Sequence, residues 1–412
     1  MTSAPESEIP ASEDRFTRPI AAMLSYSVAA MIVGQSCLFT VLPPIGRQIG
    51  LAEYQIGLVM SVHGLFMLFT GPVAGTLSEI WGRRRILVGG SALYAGSIML
   101  FGFIIDAASR GLLAVSTVLV LLVSSRAVFA IGAGAVTPGA MALAADLSSR
   151  DRRLHAMSLI STAISVGAIL GPSSAAFFTG LGPAVAFYVI AGFAMAGAIA
   201  ARFVLPEPPR HVRTPGRLGL TGLWGRPMMM AASSALYLLG CYGIYAVLGF
   251  HFQDRFVLNT TDAAQMFGLA LMASAATNVL TQTFVIRPLK AGVTTMMFIG
   301  VPVTIAGFLL MGFGTLVPVV FAGMLICAAG QGFANAALAT GLSLSVGASG
   351  QGRVAGLSTS AQAIAFLIGP SGGAMLYQSG FHLPFEVGSA ICAAALVLYF
   401  TTARAKTASI DQ

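Results

Sequence analysis

The sequence predicts an all-α membrane protein with twelve transmembrane helices arranged as two pseudo-symmetric six-helix bundles. Three observations predict it. First, the chain is 56% hydrophobic and only 9% charged, with a mean hydropathy of +0.86, whereas soluble domains carry about a quarter charged residues. A soluble fold of 412 residues cannot hide this much apolar surface, so lipid is the solvent, and lipid leaves helices as the economical way to satisfy the backbone. Second, twelve apolar runs reach the roughly 20 residues needed to cross a hydrocarbon core of about 30 Å. Third, landmarks recur with a shift of 198 residues: Gly132 and Gly134 fall on Gly330 and Gly332, Gly171-Pro172 on Gly369-Pro370, and Phe187 and Val189 on Phe385 and Val387.

The runs are 19–41, 56–76, 86–105, 113–143, 156–178, 182–205, 228–250, 264–286, 292–312, 316–343, 354–377 and 385–403. The length of the fourth and tenth predicts helices that tilt or continue past the membrane. The 48 glycines suit helices in close contact. Repeats with an even number of helices are parallel, related by an axis along the membrane normal, and two such bundles leave a cavity between them near the midplane. The organisation read from the chain is a disordered tail over 1–17, an N-terminal bundle over 18–205, a linker over 206–226, a C-terminal bundle over 227–405 and a short tail over 406–412. The linker is polar and rich in Pro, Gly and Arg.

Charge sets the orientation. Eighteen Lys and Arg residues fall at one set of helix ends, against Arg47, Arg110 and Arg255 at the other. The positive-inside rule places the basic ends, and with them both termini, in the cytoplasm. The net charge of +8 is therefore a topology signal. No basic stretch is interleaved with aromatics in a soluble segment, so nucleic acid is not an expected partner. The N-terminal tail, with Glu6, Glu8, Glu13 and Asp14, lacks the basic start and cleavage pattern of a signal peptide. Cys37, Cys241, Cys327 and Cys392 lie far apart in apolar runs, without metal-ligand spacing, so no metal or other cofactor is expected.

One residue stands out chemically. Arg126 sits inside about thirty residues, Leu112 to Ala145, that otherwise carry no charge. A guanidinium in hydrocarbon costs about 3 kcal/mol on the most lenient scale and cannot neutralise itself. Such a residue normally faces a bundle interior or a watery cavity and marks a transport pathway. A structural role, pinning two helices through carbonyl hydrogen bonds, is the alternative. Elsewhere, the loop between the second and third runs reads Gly75-Thr-Leu-Ser-Glu79-Ile-Trp-Gly82-Arg83-Arg84-Arg85: Gly75 permits close helix contact, Gly82 breaks the helix, and three cations follow with one carboxylate to pair with. The fifth run holds Gly167-Ala-Ile-Leu-Gly171-Pro172, whose small residues make a flat face and whose proline kinks the helix and frees a carbonyl. Helix packing alone would explain the same residues.

These segments resemble the motifs of the major facilitator superfamily. The 75–85 loop is similar to its Gly-x-Leu-x-Asp-Arg-x-Gly-Arg-Arg/Lys signature, with Glu79 for Asp and Ile80 for the basic residue. Arg126-x-x-x-Ala130-x-Gly132 is similar to its Arg-x-x-x-Gly-x-Gly motif, and Gly167 to Ala176 to the segment characteristic of exporters that exchange substrate for protons. The resemblance covers residues 18–405. It implies the major facilitator fold, alternating access by rocking bundles, and a gate built from Gly75, Glu79, Gly82 and Arg83, Arg84 and Arg85, with Gly167, Gly171, Pro172, Gly369 and Pro370 shaping the moving helices. It also implies that Arg126 serves proton transfer or binds negative charge, and that Gln35 and Asn335 lie on cavity-facing helices. Proton-coupled relatives often hold an acid in the first or fourth helix. This chain has none there, which makes His63 and Glu386 the proton candidates.

The expected function is export of a small amphipathic organic compound, drug-like or metabolite, in exchange for protons. Gln35, Gln331, Asn335 and Gln362 are the polar anchors in an otherwise apolar, aromatic lining, which suits such a molecule better than a sugar. The alternative is a proton-linked importer of a small organic anion. An enzyme is not expected: the five histidines are scattered, and nucleophile-elbow, metalloprotease and phosphate-loop motifs are missing. The expected partners are substrate, protons and the lipid bilayer, with the chain acting as a monomer in the inner membrane of a bacterium.

Overall fold

The computed structural model describes residues 16–149, 152–207, 224–289, 291–346 and 351–408, apart from the side chains at 71, 72, 75, 79, 154, 351, 352 and 402–408. Most of the expected linker and of the two tails lies outside the described residues. The described residues form twelve long helices and no strands. These are α1 (Arg18–Gln48), α2 (Glu53–Trp81), α3 (Arg83–Ser109), α4 (Val115–Leu147), α5 (Arg153–Phe178) and α6 (Val185–Val204), then α7 (Arg226–Phe256), α8 (Thr260–Leu289), α9 (Val293–Phe313), α10 (Val317–Ser343), α11 (Gln351–Ser379) and α12 (Leu383–Ala408). Eleven are long and apolar enough to cross a membrane by the described residues. The twelfth, α2, runs from 54 to 78 without an acidic, Lys or Arg side chain. The outer surface is studded with bare apolar side chains such as Phe103, Phe177, Phe203 and Phe284, as expected where lipid replaces water. This is a multi-pass membrane protein.

Consecutive helices alternate in direction. The ends that share a side with both chain termini are called here the terminal face, and the ends at 48–53, 109–115, 179–184, 256–260, 313–317 and 379–383 the opposite face. Each half repeats one packing scheme: α1 lies on α5 and α6, α3 on α4 and α6, α2 on α4; correspondingly α7 lies on α11 and α12, α9 on α10 and α12, α8 on α10. The two most extensive crossings between the halves are α2 on α11 and α5 on α8, and they are equivalents under the same repeat. Two hydrophobic cores result, one built almost wholly from α1–α6 and one from α7–α12.

The recurring glycines explain why the halves pack alike. A Cβ at Gly132 of α4 would stand 2.7 Å from the carbonyl oxygen of Gly90 in α3, and one at Gly330 of α10 would stand 2.7 Å from that of Gly300 in α9. Only hydrogen fits, and the close approach supplies the dispersion contacts that hold membrane helices together where lipid offers no hydrophobic drive. Gly82 separates α2 from α3 at φ +104°, and any side chain there would run into the Glu207 carboxylate. Proline kinks lie inside α1, α4, α5, α9 and α11. One feature goes beyond the sequence reading: α8 widens into π-helical turns over Thr281–Ile286, a geometry often found at functional sites.

Candidate functional site

A cavity of about 460 Å³ lies between the halves. Its walls come from α1 (Gln35, Ser36, Phe39), α5, α7 (Tyr242, Tyr245), α8 (Asn278, Gln282), α10 (Gln331, Asn335) and α11 (Phe366). A second space of about 260 Å³ shares Tyr242, Tyr245, Gln331 and Asn335 with it and adds Gln362. Four of the predicted anchors, Gln35, Gln331, Asn335 and Gln362, are thus brought together. Phe39, Tyr242 and Phe366 form an aromatic cluster on one wall, with ring centroids 5.4 Å (Phe39–Phe366) and 4.6 Å (Tyr242–Phe366) apart. Hydrogen bonds hold several amides in place: the Tyr245 hydroxyl donates to Gln331 Oε1 at 3.1 Å, Gln362 Nε2 donates to the Tyr242 hydroxyl at 3.2 Å, and Gln282 Nε2 donates to Asn278 Oδ1 at 2.7 Å. Asn278 and Gln282 share the face of α8 that also presents Phe267, Leu271 and Ser274 to the cavity, at α-helical spacing.

Arg126 sits elsewhere. It is fully buried inside the N-terminal half, and Nε, NH1 and NH2 have no hydrogen-bond acceptor. Carbonyl bonds therefore do not pin helices through it. Its guanidinium lies 4.1 Å from the centre of the Phe129 ring. His63 from α2 packs edge-on against Phe129 and, at 5.1 Å, against Phe366 of the other half. A chain of ring contacts, Phe129 to His63 to Phe366, thus links the cation to the cavity wall, which Arg126 itself does not line. Glu386 is exposed near the opposite-face end of α12 and lines neither space.

The predicted gating residues divide by location. Arg83 pairs with Asp146 at the end of α4 at 2.5 Å, while Arg84 approaches Glu207 at 3.8 Å and donates to the Leu205 carbonyl at 3.1 Å; these contacts tie α3 to its own half. Arg85 is exposed. The Gly75 and Glu79 side chains lie outside the described residues. Gly167 and Gly171 seat α5 on α1, where a Cβ at 171 would stand 2.6 Å from the Val33 carbonyl. Gly369 does the same for α11 on α7. The prolines that follow face across the halves: the Pro172 carbonyl lies 2.8 Å from a Cβ built on Gly268 of α8, and the Pro370 carbonyl 2.7 Å from one on Gly57 of α2. At each crossing between the halves, the backbone carbonyl of the proline meets a glycine.

The two halves are sealed together on the opposite-face side of the cavity. Arg47 at the end of α1 makes a forked pair with Asp254 of α7, NH1 to Oδ1 at 2.7 Å and NH2 to Oδ2 at 2.9 Å, and its Nε donates to Glu53 at 2.9 Å. Tyr377 of α11 donates to the same Asp254 at 2.8 Å, and Gln378 donates across the halves to Glu53 at 3.0 Å. Beneath them Phe250 takes the guanidinium on its face at 4.7 Å. Sequence reasoning placed Arg47 only at a sparsely charged helix end. The signal available was charge complementarity, a lone Arg47 beside acids at the sparsely charged ends. Deeper, Ser371 Oγ and Ser61 Oγ meet at 2.7 Å, and Gly64 of α2 is pressed against the backbone of Ala363, Phe366 and Leu367. A cavity shut at one end between two pseudo-equivalent halves is the geometry of alternating access.

Relatives agree with this geometry. The model of the Major Facilitator Superfamily matches residues 24–370. The chain is 27% identical to the class G tetracycline resistance protein of Vibrio anguillarum, over 87% of this chain and 90% of that protein. It is 24% identical to Multidrug resistance protein 2 of Bacillus subtilis (strain 168), a match over 45% of this chain that spans 43% of that relative's length. Among solved structures, a bacterial homolog of the human lysosomal transporter Spinster, in an inward-facing and unoccupied conformation, superposes with a TM-score of 0.75 at 15% identity, covering 93% of this chain and 96% of that one. The family is one of transporters, not enzymes, and by the span of its matching model this chain belongs to the Major Facilitator Superfamily.

Proposed function

We propose that the protein exports a small amphipathic organic compound in exchange for protons. The carrying observation is the cavity between the halves, aromatic on one wall, lined by a handful of amides, and shut on the opposite-face side by the Arg47–Asp254–Glu53 network. Likeness to drug-resistance proteins of two bacteria supports the same reading. In this reading the protein sits in the inner membrane of a bacterium as a monomer, both termini are cytoplasmic by the positive-inside count, and the structure corresponds to the inward-facing state. Gln35, Gln331, Asn335 and Gln362 hold the substrate. His63 takes the exchanged proton beside the fixed charge of Arg126, because it is the titratable side chain packed directly on the cavity wall at Phe366. Glu79 with Arg83, Arg84 and Arg85 forms the gate on the terminal face, and the kinked segments at Gly167, Gly171, Pro172, Gly369 and Pro370 rock as the halves exchange states.

Everted membrane vesicles test the direction. Under an inside-acid pH gradient, vesicles carrying the protein should accumulate a fluorescent amphipathic compound, and collapsing the gradient should release it. Accumulation driven by the reverse gradient would overturn export and indicate uptake. A susceptibility screen of an overexpressing strain identifies the compounds to use.

A further inference from the structure

The charge census of the cavity reaches beyond the class of substrate named so far, though it rests on that reading of the cavity. Among the described residues, neither the larger space nor its extension is lined by any Asp, Glu, Lys, Arg or His. Arg126 lines neither space and stacks on Phe129, which meets the cavity residue Phe366 only through His63. A charged ligand would leave water here for aromatic rings and neutral amides. Such a transfer is strongly unfavourable without an opposite charge to meet it.

The amides are not equivalent. Gln331, Gln362, Asn278 and Gln282 already share hydrogen bonds within the wall. Gln35 of α1 and Asn335 of α10 also line the cavity; Gln35 is half-buried and Asn335 exposed, and neither is left as a buried unpartnered group. Each can offer two N–H donors and a carbonyl acceptor to a ligand. One belongs to each half, and the rings of Phe39, Tyr242 and Phe366 lie close by. We infer that the cavity selects an uncharged aromatic molecule carrying both a hydrogen-bond donor and an acceptor, held between the Gln35 and Asn335 carboxamides with its ring against the aromatic wall. Because the clamp draws on both halves, the ligand bridges them, and a bound molecule favours the state in which the two carboxamides face each other.

Equilibrium dialysis on the purified full-length protein in lipid nanodiscs tests this without any gradient or transport, so its outcome is separate from that of the vesicle assay. The probes are chloramphenicol as the uncharged aromatic, ethidium as the cation and nalidixate as the anion. Wild-type protein should retain chloramphenicol at least tenfold more strongly than either ion. Gln35→Ala and Asn335→Ala should each weaken retention about tenfold, and Asn335→Asp should lose chloramphenicol while gaining ethidium. Each variant counts only if it elutes as a single folded peak. Stronger retention of ethidium or nalidixate by the wild type, retention of none of the three, or indifference of chloramphenicol binding to both alanine variants, would overturn the inference.

Discussion

Arg126 shows how a single side chain can be legible in the sequence while its surroundings are not. Its burial was readable, because thirty uncharged neighbours leave a cation few places to go. Its surroundings were not readable. The fold sets Phe129 of α4 under it, and Phe129 in turn meets His63 of α2, which meets Phe366 of α11. A cation–π contact in a dry site is worth about 2 kcal/mol, less than the several kcal/mol that desolvating an ion takes. Residue and site are therefore held at a thermodynamic disadvantage that function must justify. Replacing Arg126 with Met, which keeps the shape without the charge, should leave the thermal midpoint of the purified protein unchanged or higher, yet abolish gradient-driven transport. A variant that still transports at the wild-type rate would remove Arg126 from the mechanism. Histidines split in the same way: His251 Nε2 and His382 Nδ1 bond the Met311 and Gly312 carbonyls at the end of α9, at 2.9 Å and 2.7 Å, and serve structure, whereas His63 packs against the rings of Phe129 and Phe366.

Among the helices, the small residues of α5 and α2 do two different jobs. Gly171 sits in the α1 contact inside one half, so Gly171→Leu should overpack it and cost about 1–3 kcal/mol, read as a lower unfolding temperature together with lost transport. Gly64 sits instead at the crossing of α2 with α11, where even a Cβ would strike backbone. Gly64→Leu should hold the halves apart on the opposite face while leaving each half folded. A cysteine introduced at Phe39 in that background should then react faster with a membrane-impermeant maleimide applied from the opposite face; an unchanged labelling rate would mean that this crossing does not control access. Sequence motifs pointed to Gly171 and missed Gly64 and Gly57, because a glycine's partner across the halves has no fixed sequence spacing. The Pro172 and Pro370 kinks were visible, but their meeting with Gly268 and Gly57 was not.

For the molecule as a whole, the position of the conformational equilibrium depends on a network that spans four helices. Arg47 and Asp254 are partly exposed, with side chains 23% and 45% accessible, and such pairs are each worth about 1 kcal/mol or less. The latch is therefore tuned to be reversible. Asp254→Asn and Arg47→Gln should each move the population toward the state open on the opposite face by up to about fivefold, and the double variant should add little to either. That double-mutant cycle, read by distance measurements between spin labels on the two halves, would show full additivity if the pair did not couple them. In the proposed function the uncharged cavity and the charged latch divide the work: one recognises, the other sets which side is open.

Composition and periodicity alone determined that this chain is a membrane protein, that it has twelve helices, and that one half repeats the other, because hydrocarbon thickness and backbone hydrogen bonding leave few other outcomes for such apolar runs. Only the tertiary structure decided which polar groups meet. Gln35 and Asn335 are 300 residues apart in the chain and Arg47 and Asp254 are 207 apart. Their encounters depend on how two independently packed bundles dock, and docking is set by the shape of close-packed surfaces rather than by any local pattern along the sequence.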